Sequence, residues 1–252
     1  MIGLTQGQKL FAALALLLLS SLAAAREVLV VFGTDKPPFV FSEGKQGLEI
    51  DIVREALKHV GHTLKIALVS YRRLPVALKT MQVDGSASVH DADDGSFYSA
   101  PFIEFDNCAV SRKIMGLDIR SIADLKGKSI AAWQNAYRDL GAEYQALFSP
   151  DKNQNYPPGY FEVSSQRDQN IMFWAGRADV LIIDKTIFLW YRKALGREMD
   201  TDAEVVYHDI FPVRTFFQVG FKSKELRDQF DDGLRYLRES GRYQQLVNKY
   251  IK

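Results

Sequence analysis

The sequence predicts an α/β protein with two α/β units in tandem, on three observations. Short apolar segments alternate with segments whose apolar residues recur every three or four positions, an order typical of strands followed by helices. Strands that alternate with helices form parallel sheets with right-handed crossovers. The alternation starts near residue 28 and starts again near residue 122. A chain of this length accommodates one large domain or two smaller ones.

The first unit opens with a buried strand at residues 28–32, followed by a rigid corner at Pro37 and Pro38. The next helix is predicted over residues 48–60, because its apolar residues have helical spacing and Gly61 is a suitable stop. The other predicted elements of this unit are a strand at 64–69, a helix at 74–81 and a strand at 87–89.

The second unit is predicted to contain strands at 129–133, 161–163 and 178–183 and helices at 137–148, 166–176 and 186–195. Residues 149–160 are polar and rich in Pro and Gly, which predicts a loop. The remaining predicted elements are strands at 205–207 and 216–221 and helices at 226–239 and 243–251.

The first 25 residues have the pattern of a cleavable secretory signal. Lys9 precedes an apolar run over residues 10–18, and Ala23 to Ala25 provide a small-residue cleavage site. The run is short for a membrane span of about 20 residues, although an uncleaved signal anchor is the alternative. We therefore expect export to the periplasm and a mature chain that begins near Arg26, without a lipid-bearing cysteine.

Composition limits the kinds of partner and cofactor. The formal net charge is +1, which gives no electrostatic reason to expect nucleic acid or an anionic membrane surface. Cys108 is the only cysteine, so no intramolecular disulfide forms. Of the four histidines only His59 and His62 are close in sequence, and no Cys or carboxylate cluster lies beside them. We expect no metal site and no cofactor.

Several ordered motifs carry a resemblance to a known family. They are Pro37-Pro38-Phe39, Gly47-Leu48-Glu49-Ile50-Asp51-Ile52, Val83-Asp84-Gly85, Tyr98-Ser99-Ala100-Pro101-Phe102, Asp124-Leu125-Lys126-Gly127-Lys128, Gly176-Arg177-Ala178-Asp179, and Leu234 to Gly241 leading to Lys249-Tyr250. In this order the chain resembles the bacterial periplasmic solute-binding proteins of family 3, the receptors of polar amino acid ABC transporters. The resemblance runs from about residue 28 to the C-terminus.

The resemblance implies a two-lobed periplasmic-binding-protein fold of type II, with the ligand in a cleft between the lobes. Lobe 1 would take residues 27–107, lobe 2 residues 108–216, and residues 217–252 would return to lobe 1. Binding would close the cleft by a hinge motion. The implied partners are a small-molecule ligand and an ABC permease, and we expect a monomer.

The resemblance also marks candidate ligand-binding residues. Asp184, which follows an apolar strand, matches the carboxylate that binds a ligand ammonium; its alternative role is to cap the next helix. Asp35 matches a position that touches the ligand side chain, with an ordinary turn residue as the alternative. The other candidates match positions that flank the cleft, and packing is the alternative for the aromatic ones: Phe39, Phe41, Ser88, Trp133 and Gln134.

Two departures from the family pattern concern the ligand carboxylate. The family places an arginine, which grips that carboxylate as a fork, where this chain reads His90-Asp91-Ala92-Asp93-Asp94-Gly95-Ser96. The family's Gly-Ser/Thr pair is replaced by Asn135-Ala136. Arg72 or Arg73 is the candidate replacement cation, with exposed surface as the alternative. The expected ligand is therefore an amine, a neutral polar compound, or an amino acid held through one of these arginines.

Two other function classes remain open at this stage. Some relatives of this fold are dehydratases of cyclic amino-acid precursors, and Asp184 or Asp35 is the candidate general acid for such an enzyme. The chain shows no nucleophile with an adjacent base and no metal set, which favours a binding protein. A sensor or accessory protein that serves no transporter is the third class.

Overall fold

The first sheet belongs to lobe 1 and has mixed strand directions. The structure is a computed structural model that describes residues 26–41, 43–211 and 214–251. The strand order is β2-β1-β3-β11-β4, and β5 pairs with the beginning of β11. These strands are β1 (Glu27–Gly33), β2 (Thr63–Val69), β3 (Gly85–Val89), β4 (Phe97–Tyr98), β5 (Ile103–Phe105) and β11 (Thr215–Phe221). Strand β1 is parallel to β2 and β3, as predicted for a βαβ unit, whereas β11 runs antiparallel to its neighbours.

The second sheet belongs to lobe 2 and has the order β10-β6-β9-β7-β8. Its strands are β6 (Asn107–Arg112), β7 (Ile130–Trp133), β8 (Tyr160–Val163), β9 (Val180–Asp184) and β10 (Val205–His208). Strand β7 lies parallel to β8 and β9, so the C-terminal ends of these three strands meet at one edge. Ligands of open α/β sheets bind at this edge. The sequence did not predict β4, β5 or β6.

Eight α-helices cover the sheets in the described ranges. They are α1 (Leu48–His59), α2 (Ala77–Thr80), α3 (Ala136–Asp139), α4 (Ala142–Phe148), α5 (Gln166–Trp174), α6 (Lys185–Leu195), α7 (Lys224–Glu239) and α8 (Arg242–Tyr250), and 3₁₀ helices cover Tyr71–Val76, Lys113–Met115 and Ile122–Leu125. The predicted helix at 74–81 is instead a 3₁₀ helix that contains Pro75, followed by the single turn of α2. The predicted helix at 137–148 is divided at Gly141, whose φ of 91° ends helical geometry.

The chain passes between the lobes twice in the described ranges. The first passage joins β5 to β6 through Asp106, and the second joins β10 to β11. Asn107 Nδ2 donates to Thr215 Oγ1 at 2.9 Å, which ties the two passages together. The lobe boundaries at residues 107 and 216 stay predictions, and the predicted signal segment, residues 1–25, lies outside the described residues.

Two aspartates of the family motifs have equivalent structural roles in the two lobes. Asp84 accepts the Leu29 N–H at 2.8 Å and donates its own N–H to the Leu29 carbonyl at 2.8 Å. In the same way Asp179 accepts the Ser129 N–H at 3.1 Å and donates to the Ser129 carbonyl at 2.8 Å. Each aspartate therefore holds the beginning of a central strand in place. This structural role accounts for the Asp-Gly and Arg-Ala-Asp motifs, and neither aspartate is needed for ligand binding to explain them.

The C-terminal helices pack on lobe 1. Helix α7 crosses α1 so closely that a Cβ on Gly233 would lie 2.1 Å from the Ala56 carbonyl oxygen. Asp51 accepts hydrogen bonds from Lys249 Nζ at 2.8 Å and from the Tyr250 hydroxyl at 2.6 Å, which attaches α8 to α1. Helices α7 and α8 therefore both pack against α1. The return of residues 217–252 to lobe 1 stays a prediction.

Candidate functional site

A cavity of about 340 Å³ lies between the two lobes, a volume suited to a small molecule. Lobe 1 contributes the residues after β1, the 3₁₀ helix at Tyr71–Val76 and the end of β3; lobe 2 contributes the ends of β7 and β9 and the first turns of α3 and α5. Apolar side chains form much of the wall, namely Tyr71, Leu74, Pro75, Val89, Phe105, Trp133, Ile187 and Phe217.

Three carboxylates line this cavity: Asp91, Asp139 and Asp184. Asp184 is 4% exposed and is the last residue of β9. Its Oδ1 accepts the N–H groups of Thr186 at 2.8 Å and Ile187 at 3.1 Å, which caps α6. Its Oδ2 accepts the N–H of Asp106, in the passage between the lobes, at 2.8 Å. Asp184 therefore connects the cavity wall, the helix start and the hinge.

The pKa of Asp184 is raised to about 6, chiefly because burial disfavours the charged carboxylate. The three backbone N–H donors act in the opposite direction, and the nearby charge of Asp106 raises the pKa further. Asp184 is consequently ionised at pH 7 and above and takes up a proton as the pH falls through about 6. A cation beside it would stabilise the ionised form.

A buried ion pair occupies the lobe 1 side of the cavity. Lys36, 4% exposed, forms a short contact with the fully buried Glu49. Ser88 donates its hydroxyl to Glu49 Oε2 at 2.8 Å and accepts from Lys36 Nζ at 3.3 Å. The ammonium also lies 4.8 Å from the centre of the Phe105 ring. The charge of Lys36 is thus neutralised within lobe 1. The Glu of the Gly-Leu-Glu-Ile-Asp motif therefore has a structural role, because it pairs with Lys36.

His90 and Asp139 meet across the mouth of the cleft, where Nε2 lies 3.1 Å from Oδ1. The Trp133 indole N–H donates to the other oxygen of Asp139 at 2.9 Å. The His90 ring packs on Phe217, with ring centres 4.5 Å apart. Arg138 also lines the cavity; its Nε donates to the Tyr137 hydroxyl at 3.1 Å, and in the described ranges it forms no ion pair.

Two residues that line the cavity have buried side-chain oxygens without a hydrogen-bond partner among the described residues. Gln166, 4% exposed, and Gln134 each have a side-chain carbonyl oxygen that no described donor reaches. A buried acceptor without a donor costs about 1–3 kcal/mol. These atoms are suited to a ligand that donates N–H or O–H hydrogen bonds.

The structure brings four of the nine predicted site residues to the cavity: Ser88, Trp133, Gln134 and Asp184. The other five lie elsewhere. Asp35 bonds to side chains of lobe 2 rather than facing the cavity. Phe39 is 2% exposed and packs on Phe105, with ring centres 4.6 Å apart.

Phe41 packs between Trp190 and Tyr250, with ring centres 6.0 and 6.4 Å away, and does not line the cavity. Arg72 is largely exposed and lies 3.8 Å from Glu162 of lobe 2. Arg73 is exposed, and neither arginine lines the cavity. Both arginines are surface residues, as the alternative interpretation had it. The 3₁₀ helix buries Tyr71 and Leu74 in the protein interior, so Arg72 and Arg73 lie on its exposed side.

Sequence reasoning missed Lys36, Tyr71, Arg138 and Gln166 as cavity residues. Signals were present for two of them. Tyr71 directly precedes the two arginines that were chosen, and Arg138 follows closely after Gln134 in the segment behind β7. Of the acids in the His90–Ser96 segment, Asp91 lines the cavity, whereas Asp94 accepts hydrogen bonds from Ser96 N–H and the Tyr98 hydroxyl.

No group of three or more His, Cys, Asp and Glu side chains in the described ranges is arranged to hold a metal ion. No helix there combines the length and the apolar character needed to cross a bilayer.

Comparisons with known proteins find similar sequences and similar folds. The arginine-binding extracellular protein ArtP of Bacillus subtilis (strain 168) is 24% identical in an alignment of 237 residues that covers 88% of this chain and 86% of ArtP. A histidine kinase sensor domain with similarity to periplasmic binding proteins superposes with a TM-score of 0.72 at 19% identity, over 90% of this chain and 96% of that domain.

The ancestral amino acid-binding protein AncCDT-1, a precursor of cyclohexadienyl dehydratase, superposes with a TM-score of 0.69 at 17% identity, over 95% of this chain and 100% of that protein. At these identities the structural similarities establish the fold alone. Residues 28–252 match the bacterial extracellular solute-binding proteins, family 3. The two-lobed fold, the cleft between the lobes and this match agree. The chain belongs to family 3 of the bacterial extracellular solute-binding proteins.

Proposed function

We propose that the cleft captures a small, positively charged solute, an amine or a cationic amino-acid-like compound, for uptake by an ABC transporter. Solute binding is the function of the family. The main support for this proposal is the negative charge of the cavity wall. Asp91 and Asp184 line the cavity, and neither forms an ion pair in the described ranges.

The balance of charges supports a cation. Three carboxylates and two basic side chains, Lys36 and Arg138, line the cavity, and Glu49 lies directly behind Lys36. Because Glu49 neutralises Lys36, Arg138 is the one lining cation that forms no ion pair in the described ranges. A ligand anion placed against the remaining carboxylates would suffer repulsion and desolvation, which cost on the order of a few kcal/mol.

Hydrogen-bonding groups support the same ligand class. The side-chain oxygens of Gln134 and Gln166 are buried and unpartnered, and after a small reorientation of these side chains they would accept N–H groups, which amines and guanidinium groups supply. Aromatic faces such as Trp133 favour a cation further. A ligand with several N–H donors would therefore satisfy both the carboxylates and the amide oxygens.

Arg138 distinguishes an amine from an amino acid. It stands on α3 of lobe 2, and it is a candidate to bind a ligand carboxylate, a role that Arg72 and Arg73 are badly placed to serve. If the ligand is an amino acid, its carboxylate would be held from lobe 2 rather than from the family's lobe 1 arginine. A simple amine would leave Arg138 without a role in binding.

Calorimetry with L-lysine and 1,5-diaminopentane, which differ by one carboxylate, tests this proposal. Asp91→Asn should weaken binding of the diamine about tenfold, because a hydrogen bond to a charged group contributes about 1.5–3 kcal/mol. Asp93→Asn is the matched control, since Asp93 is exposed, as Asp91 is, but does not line the cavity. Arg138→Gln should weaken lysine binding and leave the diamine unchanged. Equal affinities of the wild type and Asp91→Asn for both compounds would contradict the proposal.

We also propose that the protein is a binding protein rather than a dehydratase. Asp184, the candidate general acid, accepts three backbone N–H bonds at the hinge, which supports a structural and electrostatic role. Its pKa of about 6 is the one observation that favours proton transfer. Incubation of the purified protein with cyclic amino-acid precursors, followed by mass spectrometry, should detect no turnover.

The remaining proposals concern where and with what the protein works. It would act as a monomer in the periplasm, after removal of residues 1–25, and its closed form would dock on a permease. N-terminal sequencing of the exported protein should begin near Arg26, and light scattering should give the mass of a single chain. An intact Met1 on a membrane-held protein would contradict the first expectation.

A further inference from the structure

The Asp35 carboxylate connects the two lobes. Asp35 follows β1 in lobe 1, yet both its oxygens accept hydrogen bonds from lobe 2. The Tyr191 hydroxyl, on α6, donates to Oδ1 at 2.8 Å. The Ser165 hydroxyl donates to Oδ2 at 3.3 Å. Ser165 is the N-cap of α5, so the carboxylate lies beside the start of that helix, where a negative charge is favoured.

On the lobe 2 side this contact is more deeply buried than the two charged contacts between the lobes. The Phe41 and Trp190 rings, with centres 6.0 Å apart, also join the lobes. Tyr191 is 2% exposed, whereas the side chains of His90 and Arg72, which also reach across the cleft, are 42% and 60% exposed. Exposed ion pairs are screened by solvent and contribute little. Burial and the charge of Asp35 raise the pKa of Tyr191, so its hydroxyl keeps the proton that it donates.

Asp35 also lies outside the wall of the cavity. It is absent from the residues that line the cleft cavity, and its two oxygens are already occupied by the lobe 2 donors. A hinge opening that parts the lobes would break these bonds, and water would replace them. These bonds are therefore expected to be lost when the cleft opens.

We propose that Asp35 is a positioning residue for ligand capture: through Tyr191 and Ser165 it holds lobe 2 against lobe 1 and stabilises the closed cleft without touching the ligand. The closed form is then populated without ligand, and the ligand, once inside, leaves more slowly. This inference concerns closure and holds whatever the charge of the ligand.

Pulsed electron resonance on the ligand-free protein tests it. Spin labels on Arg73→Cys and Phe161→Cys, two exposed positions next to the Arg72–Glu162 contact across the cleft, report its width. The native Cys108 is fully buried and stays unlabelled. Tyr191→Phe removes one donor from Asp35, and the ratio of closed to open protein should fall about tenfold, since hydrogen bonds to charged groups are the stronger kind.

Tyr250→Phe is the matched control, because it removes a tyrosine hydroxyl that bonds a carboxylate, Asp51, within lobe 1. It should leave the distance distribution unchanged. Asp35→Asn, measured in the same way, should shift the protein toward the open form as Tyr191→Phe does, while circular dichroism verifies that each variant is folded. A wild-type protein that shows the wide separation alone, or one whose distribution coincides with that of Tyr191→Phe, would overturn the proposal.

Discussion

Acidification should release a cationic ligand, because it discharges Asp184. Its carboxyl has a pKa of about 6 in the cleft. A cation binds the ionised form, so affinity should be constant above pH 7 and should fall as the pH drops through 6. At pH 5 about nine-tenths of the carboxyls of a group with this pKa carry a proton, which lowers the affinity up to about tenfold.

Calorimetry of 1,5-diaminopentane at pH 7.5, 6 and 5 measures this effect. At pH 6, titrations in two buffers of different ionisation enthalpy should also reveal about half a proton released for each ligand bound. Asp184→Asn should flatten the pH profile. Because Asp184 also caps α6 and binds the Asp106 N–H, the folded state of that variant must be verified first by its melting temperature.

A dissociation constant that stays the same from pH 7.5 to pH 5 in the wild-type protein would refute this reasoning. So would a profile that keeps its slope in Asp184→Asn, because the titrating group would then be another residue.

Three further predictions concern stability. Lys36→Met should lower the free energy of unfolding in urea by about 3–5 kcal/mol, since it leaves Glu49 buried and unpaired; adding Glu49→Gln should restore much of the loss. Gly233→Ala should destabilise by about 1–3 kcal/mol despite the better helix propensity of alanine, because its Cβ would lie 2.1 Å from the Ala56 carbonyl oxygen. Burial lowers the pKa of His208, so the folded protein holds this histidine neutral and loses stability as the pH falls below the ordinary histidine pKa. In urea titrations from pH 7 to pH 4, the free energy of unfolding of His208→Gln should therefore decrease less steeply than that of the wild type.

The order of strands and helices was predictable from the sequence because it depends on local periodicity. Strands β1, β2, β7 and β9 lie where apolar runs predicted them. The wrong helix bounds have local causes as well, namely Pro75 inside a 3₁₀ helix and the positive φ of Gly141. The short strands β4 and β5 contain two and three residues, too few for a period to be visible.

The site was less predictable because its side chains form hydrogen bonds with residues far away in the sequence. Asp35 and Tyr191 are 156 positions apart, and Ser88 and Glu49 are 39 apart. Motif matching located the end of β9 and therefore Asp184. It did not reveal that the acid at position 35 faces the opposite lobe, since the same residue type suits a turn, a ligand or a bridge.

The measurement that tests cation capture most directly is a calorimetric series on one carbon skeleton. 1,5-Diaminopentane, 5-amino-1-pentanol, 1,5-pentanediol and pentanedioate keep the length and vary the charge. Because Asp91 and Asp184 form no ion pair in the described ranges, affinity should fall in that order, by about tenfold or more for each charge removed. Tightest binding of pentanedioate, or equal binding of the diol and the diamine, would contradict the account.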